Sequence, residues 1–446
     1  MKKELWSKED LLKLIFPLII EQILAVSVGM ADMIMVSGAG EIAVSGVSLV
    51  NTISNLLIYV FSAMATGGAI VASQAIGAKN EKIAQVVANQ LILVCFVISI
   101  VIAVLSLIFN QQVLYLIYGS VEQGVMNNAI VYFYITALSF PFLAVYYGAA
   151  ALLRSMGNSQ LSMYVSTVMN ILNIVGNAIL IYCFSLGIAG VGIATLVSRM
   201  VACFIVIIVL RNPKYPLHID RGLHLGFHPH VIQMILKLGV PSGIDNAMFQ
   251  IGKLFTQSLI STFSTAAIAA NATASTIELL ATIPASAMSL AITTVVGQCV
   301  GANHYDLALQ YAKKMLKWAY MMLWAVNIVI MFMSRTIVSW YHLTVQGESL
   351  AIQLIVYHSM CCMAIWPLAF TVPHILRAAG DVQFVMMSSM MSMWVFRIAL
   401  SYVIGQYLGL GVLGVWIAMT IDWLVRSLLY LWRLKSGRWK KESVIT

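Results

Sequence analysis

Charge is scarce in this 446-residue chain: Asp, Glu, Lys and Arg together make up 9% of it. A soluble domain carries about a quarter. So few charges cannot cover the surface of a water-soluble globule of this length, which excludes that class. Cysteine is also sparse. The six cysteines (Cys95, Cys183, Cys203, Cys299, Cys361 and Cys362) lie in apolar runs. They show neither metal-ligand spacing nor a disulfide framework and read as packing residues. The phosphate-binding pattern G-x-x-x-x-G-K-[ST] is missing, so no ATPase engine is expected within the chain. The inner loops are too short for a nucleotide-binding domain, and no catalytic constellation stands out. No small-residue cleavage site follows a short apolar core near the N-terminus. The first apolar run instead contains Pro17, Glu21 and Asp32, so no cleaved signal peptide is expected.

What is abundant is apolar sequence. Hydrophobic residues make up 61% of the chain, and the solvent they suit is lipid. Runs of spanning length fall at about 11–36, 47–76, 89–109, 128–152, 160–183, 187–210, 232–260, 270–298, 314–334, 352–375, 384–405 and 411–433. Lipid permits spanning backbone only as helices or a closed barrel. These runs are too long and too uniformly apolar for barrel strands. The expected fold is an all-α integral membrane protein of twelve transmembrane helices.

Lys and Arg set the orientation. With the N-terminus in the cytoplasm, the inner segments hold Lys2, Lys3, Lys8, Lys79, Lys82, Arg154, Arg211, Lys214, Arg221, Lys237, Lys313, Lys314, Lys317, Arg377, Arg433, Lys435, Arg438, Lys440 and Lys441. The outer segments hold Arg335 alone. Both termini are therefore expected in the cytoplasm of a cell inner-membrane protein. The formal net charge of +9 is spread over every inner loop, which argues against a nucleic-acid partner.

The chain repeats itself. LKLIFPLIIEQIL around Pro17 resembles LKLGVPSGIDNAM around Pro241, 224 positions on (241 − 17). SQAIGAKNEKIA at 73 resembles GQCVGANHYDLA at 297, again 224 (297 − 73). LLRSMGN around Arg154 resembles ILRAAGD around Arg377 at 223 (377 − 154), and AGVGIA around Gly190 resembles LGVWIA around Gly414 at 224 (414 − 190). The expected organisation is an N-lobe over 1–210, a cytoplasmic linker over 211–231 with Pro213, Pro216 and Pro229, and a C-lobe over 232–446. Six helices per half is an even number, so the lobes share one orientation. Parallel repeats usually place the substrate site between the halves near mid-bilayer.

Ionisable groups within spans are costly and are functional candidates by default. Helix 1 carries Glu21 and Asp32, eleven positions apart, which is about 20° in angle and roughly 16 Å along the axis. Pro17, one turn before Glu21, can bend the helix. Helix 5 carries Asn170, Asn173 and Asn177 on one face, and helix 6 carries Thr195. Asp32, Asn177 and Thr195 are expected at similar depth, with Asn173 nearer the middle. A carboxylate with amide and hydroxyl oxygens suits a small hard cation or a proton; the alternative is ordinary helix–helix hydrogen bonding. The second half carries Asp245, Lys253, Glu278, Arg397, Asp422 and Arg426. Asp245 aligns with Glu21 under the repeat, lacks an obvious local partner and ranks as a cavity group. Lys253 and Glu278 are candidates to pair, and Asp422 with Arg426 reads as an i,i+4 ion pair. Met386, Met387, Met390, Met391 and Met393 offer an adaptable apolar surface or plain packing.

These features resemble the MATE family, the multidrug and toxic compound extrusion transporters, over nearly the whole chain. The resemblance rests on ADMIMVSGAG in helix 1, the LRSMGNSQ and LRAAGDVQ loops, the Asn-rich helix 5, GIAGVGIATLVSR in helix 6, GVPSGIDNAMFQIGKL in helix 7 and the G-A loops at Gly77 and Gly301. It looks closer to the DinF-like branch, since helix 10 lacks the acidic residue of NorM-like members. The resemblance implies two six-helix lobes and export of cationic, often aromatic, compounds in exchange for H⁺ or Na⁺, with no other cofactor. It implies that Asp32 is the ion-coupling carboxylate, that Na⁺, if used, binds there, and that Asn173 and Thr195 are its neighbours. It implies that Pro17 is the helix-bend proline. Asn177 departs from the pattern, which often has Asp there. Glu21, Asp245, Glu278, Lys253 and Arg397 are the expected substrate-cavity groups. The protein is expected to work as a monomer in the bilayer on small cationic or aromatic substrates. A flippase for a lipid-linked precursor, and a non-transporting receptor or intramembrane enzyme, stand as alternatives.

Overall fold

The computed structural model describes residues 5–38, 40–119, 121–219, 226–440 and 444. Lys2, Lys3, Arg221 and Lys441, used above to orient the chain, lie outside the described residues. Every regular element among the described residues is helical, as expected where no water is present to satisfy an open backbone.

Among the described residues, twelve helical spans follow one another. They are α1 (Lys8–Ser37), α2 (Glu41–Gly77), α3 (Glu81–Ile108), α4 (Gln123–Leu138 continued by Phe140–Ser155), α5 (Ser159–Ala178) and α6 (Gly187–Leu210). The second series is α7 (Pro229–Ser261), α8 (Thr265–Gly301), α9 (Tyr305–Ser339), α10 (Val345–Trp366, running on to Ala378), α11 (Val382–Ser392, running on to Tyr407) and α12 (Gly411–Lys435). A short helix, Asn110–Tyr118, lies between α3 and α4. Ten of the spans are individually long and apolar enough to cross a membrane, and α4 adds an eleventh if its two pieces form one span. The remaining one, α7, has 33 residues, but Lys237, Asp245 and Lys253 dilute its apolar character.

One departure from the sequence reading has a clear cause. The fourth span is not one straight helix: it bends by 47° between Leu138 and Phe140. Pro141 stands at the start of its second piece and cannot donate a backbone hydrogen bond into the turn before it. Ser7–Gly243 forms one compact unit, and Ile244–Thr446 forms the other together with Trp6. The first part of α7 thus belongs to the first unit. There Gly67 and Gly239 bring the α2 and α7 backbones together: a Cβ on Gly67 would lie 2.6 Å from the Gly239 nitrogen. In the second unit, Tyr311 accepts from the Trp6 backbone nitrogen at 3.0 Å and donates to the Trp6 carbonyl at 2.9 Å.

The internal repeat is written into the backbone. α2 and α8 each have 37 residues and start 224 positions apart (265 − 41), as do α3 and α9 (305 − 81) and α6 and α12 (411 − 187). Left-handed residues recur at the same offset: Lys79 (φ 55) with Asn303 (φ 57), and Gly187 (φ 52) with Gly411 (φ 57). Each α2-type helix closes with the same turn, Asn80 N donating to Ala75 O at 3.1 Å and His304 N to Cys299 O at 2.8 Å. This is the 6→1 bond that satisfies a helix's last carbonyls.

Candidate functional site

In the first unit, α1, α5 and α6 meet in a line of polar side chains. Asn177 Nδ2 donates to Asp32 Oδ1 at 2.7 Å and to Asn173 Oδ1 at 3.4 Å. Asn173 Nδ2 donates to Thr195 Oγ1 at 3.2 Å. The four residues expected to act together are therefore joined in one hydrogen-bonded chain. Helical geometry explains half of it, since Asn173 and Asn177 are four apart and share a face. The rest comes from packing α1 and α6 on either side of α5. Asn173, Asn177 and Thr195 are buried, while Asp32 is half-buried. Asn177 Oδ1 has no hydrogen-bond partner, nor does the Nδ2 of Asn170, about two turns earlier. An unpaired buried oxygen beside a carboxylate is costly unless something occupies or rearranges it.

Arg199 and Tyr132 were not singled out from the sequence. Arg199 lies one turn beyond Thr195 on α6, and its charge acts directly on Asp32. Its Nη1 donates to Ser139 Oγ at 2.7 Å, at the bend of α4. Tyr132 lies within the field of both Asp32 and Arg199 and donates to Asn51 Oδ1 at 3.4 Å. The signal for Arg199 was present: a charge inside an apolar span, four positions after Thr195. Among the described residues no group of three or more His, Cys, Asp or Glu side chains could hold a metal. The oxygens at Asp32 come instead from one carboxylate, amides and hydroxyls. That donor set suits a proton or a monovalent hard cation better than a divalent one.

Glu21, expected among the cavity groups, is buried and ion-paired. Arg154 Nη1 donates to Glu21 Oε1 at 3.2 Å and to Ser162 Oγ at 3.3 Å, and Ser162 Oγ donates to Glu21 Oε2 at 3.1 Å. Asp245, which has no local partner in sequence, accepts at Oδ2 from Arg377 Nη2. The partners lie 133 and 132 positions away in sequence, beyond any local pattern. The two ion pairs correspond under the repeat, arginine at the end of the fourth helix and acid on the first.

In the second unit, Asp422 and Arg426 form the expected pair, Arg426 Nε donating to Asp422 Oδ1 at 2.7 Å. Lys253 and Glu278 do not pair: among the described residues neither forms an ion pair. Lys253 Nζ lies 5.3 Å from the Phe249 ring centroid instead, where the ring quadrupole attracts it. Arg397 is buried, its Nη1 4.0 Å from Asp422 Oδ2. Of the methionines, Met387 and Met391 are exposed, while Met393 is buried against the bare backbone of Gly252.

The MatE family model matches the chain twice, over residues 17–179 and 241–403, at the spacing of the internal repeat. An uncharacterized transporter YisQ of Bacillus subtilis is 29% identical, covering 98% of this chain and 96% of its own. A probable multidrug resistance protein NorM of Thermotoga maritima is 27% identical over 98% of this chain and 94% of its own. A solved structure described as the outward-facing conformation of a multidrug resistance MATE family transporter superposes with a TM-score of 0.90, at 21% identity over 97% of both chains.

Proposed function

Because the chain belongs to the MatE family, the multidrug and toxic compound extrusion transporters, we propose that it exports cationic amphipathic or aromatic compounds in exchange for H⁺ or Na⁺. The reading places it in the cytoplasmic membrane with both termini inside, working as a monomer without a cofactor beyond the coupling ion. The observation that carries it is the chain Asp32–Asn177–Asn173–Thr195.

Ionised Asp32 is a pure acceptor and holds Asn177 Nδ2 at 2.7 Å. A charge-assisted hydrogen bond of this kind contributes about 1.5–3 kcal/mol. Protonation makes Asp32 a donor. The unpartnered Asn177 Oδ1 can accept that proton only if the amide turns over, which also breaks its bond to Asn173. Sodium at the carboxylate would recruit the same oxygen. Ion arrival therefore re-pairs α1 against α5 and α6 and removes the negative charge that favours a cationic substrate. This is exchange by differential affinity of one ligand for two states. Arg199 supplies an internal cation that competes for Asp32 when the substrate is absent.

The test is ethidium efflux from cells or everted vesicles, wild type beside Asp32→Asn, with the H⁺ and Na⁺ gradients collapsed separately. Efflux lost with one gradient and in the variant is the expected result, and it identifies the ion. Efflux that survives Asp32→Asn undiminished would remove Asp32 from the coupling role.

A further inference from the structure

The second unit contains a charged interior that the coupling chain does not explain. Three cations converge on one aromatic ring. Lys253 Nζ lies 5.3 Å, Arg397 Cζ 5.1 Å and Arg426 Cζ 5.7 Å from the centroid of Phe249. Two carboxylates oppose them. Asp422 accepts from Arg426 Nε and from Ser392 Oγ, and Glu278 faces the charges of Lys253 and Arg397 without an ion pair to either. Among these side chains three basic groups meet two carboxylates. An uncompensated charge inside lipid-embedded protein is expensive.

The hydrogen-bonding balance has the same sign. Arg397 Nη1, Arg426 Nη2 and Trp423 Nε1 are buried donors without partners, and His358 Nε2 is unpartnered beside them. These residues are deeply buried, with 3%, 3%, 1% and 3% exposure in that order. Against these stands one unpartnered acceptor, Asp422 Oδ2. It sits 4.0 Å from Arg397 Nη1, too far for a hydrogen bond. Aromatic rings wall the group. His358 lies edge-on between Trp416 and Trp423, 5.6 Å from each, and Phe370 meets both Trp423 and Phe249. Arg397 is held in a π-helical stretch, Met393–Ala399, a distortion frequent at functional sites. Lys253 and Glu278, unlike these residues, are only half-buried.

Surplus positive charge, surplus donors and an aromatic wall all ask for one kind of guest. We propose that the interior of the second unit binds a small monovalent anion, a halide or the carboxylate of an organic molecule. The Arg397 and Arg426 guanidinium groups and the Trp423 indole donate to it, and Lys253 is the entry charge. A cation is disfavoured by the sign of the site. The site lies wholly within the second unit and is tested by binding without any ion gradient, so failure of the export reading at Asp32 leaves it standing, and the reverse.

The experiment is thermal unfolding of the purified full-length protein in detergent. Sodium chloride or sodium benzoate replaces sodium sulfate at constant ionic strength. A ligand that binds only the native state raises the midpoint in a saturable way. A saturable rise is expected in the wild type. In Lys253→Gln the midpoint in sulfate is expected to hold while the apparent affinity weakens about tenfold. In Arg397→Gln the rise should vanish. A rise with chloride alone identifies an inorganic ion, and a rise with benzoate identifies an organic carboxylate. No saturable rise with either anion overturns the proposal. So does the same rise, at the same concentration, in Lys253→Gln; that variant decides alone if Arg397→Gln does not fold.

Discussion

The Ser159 hydroxyl is 3.2 Å from the carbonyl oxygen of Lys13 and 2.7 Å from that of Leu14. Lys13 lies four positions before Pro17, so its carbonyl is the one that loses an intrahelical donor to the proline ring. A side chain from the first turn of α5 thus repairs the break that Pro17 makes in α1. Helix α1 continues through Pro17 because the partner that its own backbone cannot supply comes from another helix.

Removing that hydroxyl takes a hydrogen bond from a part-buried carbonyl, which costs about 0.5–1.5 kcal/mol. Ser159→Ala should destabilise the purified protein by that amount in denaturant unfolding. Pro17→Ala restores the backbone donor. In the double variant the loss from Ser159→Ala should shrink, giving a coupling energy of about 0.5 kcal/mol or more in the double-mutant cycle. Strict additivity would show that the hydroxyl does not serve the proline gap.

The Glu21–Arg154 pair is buried, with side-chain exposures of 11% and 14%. Breaking such a pair from one side leaves an uncompensated charge and costs about 3–5 kcal/mol. Arg154→Met should therefore lower the unfolding midpoint sharply. The double variant Arg154→Met with Glu21→Gln should recover much of the loss, because it removes both charges. The same pattern is expected for Arg377→Met and Asp245→Asn in the second unit.

Asn177→Ala leaves the Asp32 carboxylate intact but removes a side chain that donates to it. If the amide relays ion binding to α5 and α6, efflux should fall about tenfold, the equivalent of 1.4 kcal/mol, with little change in stability. Thr195→Val should act in the same direction and more weakly, because it touches only the far end of the chain. Wild-type efflux in Asn177→Ala would confine the coupling to Asp32 itself.

Two glycines should respond oppositely to alanine. At Gly67 a Cβ would lie 2.5 Å from the Ile235 carbonyl oxygen and 2.6 Å from the Gly239 nitrogen, both backbone. Overpacking of this kind costs about 1–3 kcal/mol, so Gly67→Ala should unfold earlier and separate α2 from α7. At Gly29 nothing lies within 4 Å of the added atom. There the gain in helix propensity, up to about 1 kcal/mol, should make Gly29→Ala neutral or stabilising.

Much of the architecture was readable because lipid imposes simple rules. Runs such as 89–109 and 187–210 had to be helices. The offset seen between Pro17 and Pro241 reappears in helix starts and left-handed residues. The group Asp32, Asn173, Asn177 and Thr195 was legible for a similar reason: each is a polar exception inside an apolar helix, and spacing along a helix fixes which of them share a face. Arg199 was overlooked although it met the same criterion. The bend of α4 was signalled by Pro141, but its 47° was not.

Sequence by itself determined the solvent, the helix count, the twofold repeat and the side-chain type at each polar position, because these follow from composition and helical period alone. Only the tertiary structure decided which polar groups are spent on one another. Glu21 with Arg154, Asp245 with Arg377, Ser159 with Lys13 and the crowd of cations on Phe249 each depend on how a helix is rotated and packed against a distant one. A helix in lipid fixes its own hydrogen bonds, but not the neighbour its polar face will meet. That choice is made by the packing of the whole unit.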